Sequence, residues 1–295
     1  AYGNTPCSDA TSDLLLTIIP LPTADAGFDD NICEGLDFTP TNTFASNYSS
    51  LLWTSSGTGT FSSSSSLTPI YTPSASDIAL GTVTLTLTAT GNTPCSNVTD
   101  NMVLTIVPLS TANAGPSVDI CAGDSYTITS ATATNYSSVS WSTSGTGTFV
   151  SANTLTPIYT PSASDILNGN VILTLNILGN PPCNLTPISS TMNLNIVPAP
   201  ISYAGNDDFI CQGSDDIFTS GYATTTNSLS VLWQTSGDGT FINSNTLTPT
   251  YSPGPNDISN GSVDLTLIST GNSPCSVDSN SMSLIINQAP VTGPI

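Results

Sequence analysis

The sequence predicts an all-β protein built from tandem β-sandwich domains, and three observations carry that prediction. Apolar and polar residues alternate along segments such as TVTLTLTATG, which is the pattern of half-buried strands. β-branched residues, which favour strands, are frequent in these segments. One segment recurs three times, as LLWTSSGTGTF, VSWSTSGTGTF and VLWQTSGDGTF, and such self-similarity indicates repeated domains. In the first repeat, the predicted inward-facing positions are Val83, Leu85, Leu87, Ala89, Met102, Leu104 and Ile106.

The repeats divide the chain into three predicted domains and two short flanking segments. Short strands with frequent turn signals are typical of immunoglobulin-like sandwiches, with one disulfide expected in each. The opening segment matches ATGNTPCSNVTDNMVLTIVP further along, so it is interpreted as the last hairpin of a preceding repeat. Donation of this hairpin to a neighbouring molecule is the alternative. The predicted bounds are 1–22 for the hairpin, 23–110, 111–200 and 201–290 for the immunoglobulin-like repeats, and 291–295 for a linker to a following element.

Three residue types recur at fixed positions within the repeats. A tryptophan in the middle of an apolar strand is predicted to pack in the core. A tyrosine at the end of a later strand is predicted to tie the corner back to the backbone. An aspartate six residues further on is predicted to cap a short helical turn, with calcium ligation as the alternative. These positions are Trp53, Trp141 and Trp233; Tyr71, Tyr159 and Tyr251; and Asp77, Asp165 and Asp257.

The charge balance excludes several classes of function. The chain has 20 acidic residues and no Lys, Arg or His, giving a net charge of −20. Nucleic-acid phosphates and anionic membranes would be repelled, and no apolar run is long enough to span a bilayer. A His-dependent triad and side-chain stabilisation of an oxyanion are both unavailable. A glycosidase carboxylate pair remains, but the acids are repeated or scattered. We therefore expect no enzyme activity, no cofactor, no nucleic-acid partner and no membrane insertion.

Seven cysteines occupy two recurring positions. One position precedes the second strand of a repeat, and the other lies in its last hairpin. We predict one bond within each repeat, and paired cysteines at fixed positions indicate an oxidising, extracellular or cell-surface compartment. The predicted pairs are Cys33–Cys95, Cys121–Cys183 and Cys211–Cys275, and Cys7 is left unpaired.

Two kinds of decoration are also considered. Acids near the joints between repeats are weak calcium candidates, and solvated loop acids are the alternative. Sequons mark N-glycosylation acceptors, although outward threonine rows could instead carry O-linked sugars. The acids are Asp25, Asp29, Asp30, Asp207 and Asp208, and the sequons lie at Asn47, Asn97, Asn135, Asn184 and Asn260.

The combined pattern WxTSGTGTF, LTPxYTPSASDI, GxVxLTL and MxLxI resembles a family of secreted repeats of Bacteroidetes-type bacteria. These are PKD-like or immunoglobulin-like modules of long surface and gliding-associated proteins. The resemblance covers essentially the whole chain. It implies tandem β-sandwiches in an extracellular or cell-surface protein, and it implies no substrate.

We expect a non-catalytic structural segment of an extracellular fibre or surface stalk. Repeating contacts between copies build open filaments when the rotation does not close, so the expected partners are further copies of the chain, head-to-tail. An adhesin or carbohydrate-binding module is the alternative, and covalent or bound glycans are then partners. Its candidate residues are aromatics confined to the third repeat, namely Tyr203, Phe209 and Tyr222.

Overall fold

The computed structural model describes residues 1–289 and consists almost entirely of β-strands with three short helices. The predicted linker at 291–295 lies outside the described residues. The predicted bounds 23–110, 111–200 and 201–290 are kept below as names for the first, second and third repeats. The all-β prediction is confirmed.

The first repeat contains eight strands and one helix. The element bounds are β1 Thr23–Asp25, β2 Asp30–Cys33, β3 Phe44–Ser46, β4 Tyr48–Ser55, β5 Thr60–Phe61, β6 Tyr71–Thr72, α1 Ala75–Leu80, β7 Thr82–Gly91 and β8 Val98–Val107.

The second and third repeats follow the same order with one additional short strand each. The second has β9 Thr111–Asn113, β10 Val118–Cys121, β11 Tyr126–Thr127, β12 Thr132–Thr134, β13 Tyr136–Thr143, β14 Thr148–Val150, β15 Ile158–Thr160, α2 Ala163–Asn168, β16 Asn170–Gly179 and β17 Ile188–Val197. The third has β18 Ile201–Tyr203, β19 Asp208–Cys211, β20 Asp216–Ile217, β21 Thr224–Thr226, β22 Ser228–Thr235, β23 Thr240–Ile242, β24 Thr250–Ser252, α3 Pro255–Asn260, β25 Ser262–Gly271 and β26 Val277–Asn287.

Each repeat is built on a four-stranded sheet with a parallel edge. In the first repeat, β2 runs parallel to β8, and β7 and β4 follow in antiparallel order. The other repeats use β10-β17-β16-β13 and β19-β26-β25-β22. Two smaller sheets complete each repeat, namely β1-β3 with β5-β6, β12-β9 with β11-β15-β14, and β18-β21 with β20-β24-β23. Because β2, β10 and β19 pair in parallel, the first cysteine of a repeat lies at the end where its last strand finishes.

Each repeat encloses its own apolar core. The predicted inward-facing residues of β7 and β8 are all at most 2% exposed, so the alternation prediction is confirmed. Trp53 is buried, and its indole N–H donates to the Ser66 carbonyl at 3.1 Å. Its ring lies 6.1 Å from Phe61, which lies 4.9 Å from Tyr71. Trp141 and Trp233 are buried in the same way, and burying a large apolar side chain contributes about 1.5–3 kcal/mol.

The described residues form two compact units whose borders do not follow the repeats. The first contains residues 1–110, 135–137 and 178–187, and the second contains residues 111–134, 138–177 and those from 188 onward. The last hairpin of the second repeat, at 178–187, therefore belongs to the unit that holds the first repeat.

Residues 1–22 contain a turn and, in the described structure, no strand. Leu14, Leu16 and Ile18 stand 88 positions before the core residues of β8, yet they are 92, 78 and 83% exposed. This row of apolar side chains has no sheet to pack against within residues 1–289. The interpretation of 1–22 as a last hairpin therefore stays a prediction.

Candidate functional site

A buried aspartate organises one corner of every repeat. The Asp77 carboxylate accepts hydrogen bonds from the Tyr71 hydroxyl at 2.8 Å and from the backbone N–H of Thr58, Gly59 and Ser74 at 3.0, 2.9 and 2.9 Å. Asp77 is also the third residue of α1 and forms a reciprocal capping box with Ser74, which satisfies free N–H groups at the start of the helix. Asp165 and Asp257 are buried at the same position. The predicted capping role is confirmed.

The corner tyrosine differs from its predicted contact. Tyr71 was expected to bond to backbone, but its hydroxyl donates to the Asp77 carboxylate instead. An ionised carboxylate is a stronger acceptor than a neutral carbonyl, and it lies within reach of the ring. Tyr159 and Tyr251 make the same bond, at 2.8 and 2.6 Å.

These carboxylates are ionised because their donors outweigh burial. Burial alone would raise the pKa of Asp165, but hydrogen bonds from Ser162, Thr146 and Tyr159 lower it to about 2. The pKa values of Asp77 and Asp257 also lie below the ordinary value for the same reason. The oxygens of each carboxylate are thus engaged by donors of their own repeat.

The GTG motif is explained by the same corner. A Cβ atom at Gly57 would collide with the Asp77 carboxylate, and one at Gly145 would collide with the Asp165 carboxylate. Only glycine leaves room for the loop to approach the buried aspartate, which accounts for a recurring sequence feature without a ligand.

The cysteines form two disulfides, and both connect successive repeats. Cys33 pairs with Cys183, and Cys121 pairs with Cys275, with Cα–Cα distances of 5.4 and 4.8 Å. Each bond lies within one compact unit. The unpaired cysteines among the described residues are Cys7, Cys95 and Cys211. The predicted pairs Cys33–Cys95, Cys121–Cys183 and Cys211–Cys275 are therefore wrong.

The physical reason is the length of the last strand. Cys33 lies opposite Val107 at the end of β8, whereas Cys95 precedes the start of β8 at Val98. A strand of 10 residues spans about 33 Å, but a disulfide requires Cα atoms within about 7 Å. The two cysteines of one repeat therefore lie at opposite ends of its sheet, too far apart to bond to each other.

An asparagine of each repeat bonds to the segment that precedes that repeat. Asn47 and Asn135 adopt left-handed backbone conformations, with φ near 54°, which asparagine tolerates better than most residues. Their side-chain Nδ2 groups donate to the carbonyls of Leu21 and Leu109 at 3.1 and 3.0 Å. Asn227 does the same toward the Ala199 carbonyl at 3.0 Å.

The third repeat contains a cavity that the sequence analysis missed. Its volume is about 180 Å³, and it is lined by Asp208, Asp216, Ile217, Phe218, Thr219 and Tyr222. Asp216 is only 8% exposed, and its Oδ2 atom has no hydrogen-bond partner among the described protein groups. Burial, and then the charge of Asp208, raise the pKa of Asp216 to about 6. A departure from the repeat was the available signal, because Asp216 pairs with Tyr251 where the second repeat pairs Tyr126 with Tyr159.

Replacing Asp216 with asparagine is expected to stabilise the third repeat above pH 6. The unfolded carboxyl, with a pKa near 3.8, loses its proton before the folded one does. Native stability therefore falls as pH rises from about 4 to 6, by about 3 kcal/mol in total.

Urea titrations in a Trp53→Phe/Trp141→Phe background, where Trp233 reports the third repeat, would measure this pH dependence. The exposed neighbour Asp215, changed to asparagine, is the matched control. Identical pH profiles for both variants would contradict the assignment.

Comparison with solved structures places this geometry among known folds. The chain aligns with an I-band fragment, I67–I69, of titin with a TM-score of 0.51 and 14% identity, covering 92% of this chain and 100% of the fragment. The repeats are immunoglobulin-like sandwiches. Mouse cadherin-23 EC22–24 (TM-score 0.43, 14% identity, 91% of this chain and 99% of that chain covered) and sidekick-1 immunoglobulin domains 1–5 (TM-score 0.42, 14% identity, 91% and 59% covered) align more weakly. No protein-family model matches the chain, and no curated protein matches it.

The acids considered for calcium lie in the loops and strand edges of the immunoglobulin-like repeats. Within residues 1–289, no group of three or more acidic, cysteine or histidine side chains is arranged to hold a metal ion. Each candidate carboxylate accepts a nearby backbone N–H instead, from Gly27, Val103, Asn31, Ser283 and Phe209 to Asp25, Asp29, Asp30, Asp207 and Asp208 respectively. Calcium binding stays a prediction, and the described residues bring no three of these side chains together around one position.

The sequons occupy two kinds of environment. Asn47 and Asn135 use their Nδ2 groups at the joints, and the third repeat keeps Asn227 there although Asn-Ser-Leu is no sequon. A structural role therefore explains why this asparagine recurs. Asn97 and Asn260 are exposed, and Asn184 is half-buried.

The three aromatic candidates for adhesion lie in different environments. Phe209 is 71% exposed, whereas Tyr222 packs edge-on against Phe218 at 5.4 Å. Tyr203 and Tyr222 converge on Asn206, donating to its side-chain oxygen and its backbone carbonyl. In the part of the chain that the structure describes, no helix is long and apolar enough to cross a membrane.

Proposed function

We propose that this chain is a non-catalytic structural segment of an extracellular fibre or cell-surface stalk, in which copies associate head-to-tail. The observation that carries the proposal is the disulfide pattern, because each bond joins one immunoglobulin-like repeat to the next. A bond across a joint limits the movement of neighbouring domains and preserves their connection under load. The Asn135 and Asn227 side chains add hydrogen bonds across the same two joints, to the carbonyls of Leu109 and Ala199.

The composition supports an extracellular location for this fibre. Disulfides persist in oxidising compartments, and the absence of Lys and Arg removes every trypsin cleavage site. The resemblance of the repeat pattern to secreted Bacteroidetes-type surface proteins points to the same location. We place N-linked glycans of such a fibre at Asn97 and Asn260, because both side chains are exposed and neither lies at a joint between described repeats.

Electron microscopy of the purified chain tests the proposal. Filaments are expected, with an axial repeat equal to a whole number of immunoglobulin-like domains. Because the charge of −20 opposes contact between molecules, lateral bundling should increase as pH is lowered from 7 toward the sequence pI of about 4.1. Light scattering across this pH range measures the bundling.

Sedimentation velocity supplies the contrary outcome. A single monomeric species at every pH and protein concentration would contradict head-to-tail assembly. Filaments that form at pH 7 but do not bundle near pH 4 would keep the assembly and exclude charge as the force that separates filaments.

Carbohydrate adhesion is a second candidate function, favoured by the cavity of the third repeat. Its wall combines a buried carboxyl, Asp216, with an aromatic ring, Tyr222, and polar groups beside an aromatic face are common in ligand pockets. Glycan-array binding that is lost in both Asp216→Asn and Tyr222→Ala would support it. If neither the wild type nor the variants bind any glycan on the array, carbohydrate adhesion is excluded.

A further inference from the structure

The unpaired cysteines are not scattered, because each holds a recurring position, and two of them lie in described repeats. Cys95 holds in the first repeat the hairpin position that Cys183 and Cys275 hold in the second and third. Cys211 holds in the third repeat the position that Cys33 and Cys121 hold in the first and second. Each of these four equivalents is disulfide-bonded.

The two observed bonds follow one rule. The first cysteine of a repeat bonds to the hairpin cysteine of the repeat that follows it, once from Cys33 and once from Cys121. Under this rule, Cys211 requires the hairpin cysteine of a following repeat, and Cys95 requires the first cysteine of a preceding repeat. The two open positions are therefore complementary halves of the same bond.

The local geometry of Cys95 matches that of its bonded equivalents. Its N–H donates to the Asn92 carbonyl at 2.7 Å, as the equivalent N–H groups do at 2.7 and 2.8 Å in the later repeats. Its sulfur lies 3.6 Å from the Ile19 carbonyl, where Cys183 lies 3.5 Å from Val107 and Cys275 lies 3.4 Å from Val197.

Cys211 is likewise held as its bonded equivalents are. It ends β19 opposite Asn287 in parallel register, as Cys33 lies opposite Val107 and Cys121 opposite Val197. Cys211 is exposed, and Cys95 is half-buried.

We propose that Cys211 of one copy forms a disulfide with Cys95 of the next copy, so that the bond between repeats continues between molecules. This inference rests on the proposed head-to-tail assembly and names the covalent link within it. Two thiols lose two protons and two electrons, and a small-molecule disulfide takes them up by thiol–disulfide exchange, yielding one intermolecular bond and two small thiols. This bond would join a first cysteine to a hairpin cysteine, as the two bonds within the chain do.

Non-reducing denaturing electrophoresis after incubation with oxidised glutathione tests the link, in about 0.5 M salt to screen the like charges. Wild type and Cys7→Ser are expected to give a ladder of covalent multimers. In a Cys7→Ser background, which removes the other exposed thiol, Cys95→Ser and Cys211→Ser are each expected to remain monomeric. An equimolar mixture of Cys95→Ser and Cys211→Ser should give dimers and nothing larger, because each molecule keeps one half of the bond.

Mass spectrometry identifies the joined peptides after digestion with an Asp-directed protease, since trypsin has no site. A Cys95–Cys211 peptide supports the proposal. Dimers in either single variant, loss of the ladder in Cys7→Ser, or Cys211 joined to any other cysteine would overturn it. Filaments in the microscope without covalent multimers would overturn the link and leave the proposed function standing. Absence of both filaments and multimers would remove both.

Discussion

Removing the Cys33–Cys183 disulfide is expected to lower the melting temperature of the chain by roughly 10–20 °C. The bond spans 150 residues, and in the chain-entropy model such a loop restricts the unfolded chain by about 5 kcal/mol. The double variant Cys33→Ser/Cys183→Ser avoids a new free thiol, and differential scanning calorimetry measures the shift. The Cys121→Ser/Cys275→Ser variant, with a separation of 154 residues, should behave similarly.

Two controls separate this effect from the chemistry of substitution. Cys7→Ser changes an exposed, unpaired residue and should leave the melting temperature unchanged. Cys95→Ser should also have little effect in the isolated chain. A shift for Cys95→Ser as large as that for Cys33→Ser/Cys183→Ser would instead favour pairing within a repeat.

Replacing Asp165 with alanine is expected to destabilise the second repeat by about 3–5 kcal/mol. The carboxylate accepts hydrogen bonds from the backbone of Thr146, Gly147 and Ser162 and from the Tyr159 hydroxyl, at 2.8 to 3.0 Å. Alanine would leave these donors without a partner in a site that is almost fully buried. Urea unfolding in a Trp53→Phe/Trp233→Phe background, where Trp141 reports the second repeat, gives the free energy of unfolding.

The stability that Asp165 contributes to the second repeat should decrease at acid pH. Because the pKa of Asp165 is about 2 in the folded chain and 3.8 in the reference state, its contribution is complete above about pH 4. About 2 kcal/mol is lost as pH falls toward 2. This difference should be absent from Asp165→Asn. Alanine at Asp124, an exposed acid of the same repeat, should change neither quantity. Equal losses at both positions would contradict the assigned role.

Local sequence patterns were sufficient to predict the cores and the helix-capping aspartate of each corner. Burial on one face of a strand fixes a period of two, so β7 and β8 could be assigned from Val83 to Ile106 before any contact was known. The aspartate of the helical turn could be predicted as well, because a capping box depends on residues only three positions apart.

Long-range strand order could not be obtained in the same way. Nothing in the sequence of β2 states that it pairs in parallel with β8, and that choice places Cys33 and Cys95 at opposite ends of a sheet. An antiparallel arrangement would have brought the first cysteine to the other end. The predicted disulfides were wrong because recurrence identifies equivalent positions but not which of them meet.

The Asp216 cavity could have been noticed in the sequence, because one repeat differs there from the others. A repeat protein provides its own internal reference, and Asp216 departs from it by placing a carboxyl where the second repeat has Tyr126. A pattern built from shared positions does not include a residue that occurs in one repeat only. The cost of burying a carboxyl depends on the surrounding packing, which only the structure describes.

The two disulfide loops overlap, and this gives the chain an unusual tolerance of damage. One loop spans residues 33–183 and the other spans residues 121–275. A single cut of any peptide bond between residues 33 and 275 therefore leaves both fragments covalently attached. A fibre with these overlapping disulfide loops would stay continuous after a protease had cleaved single loops.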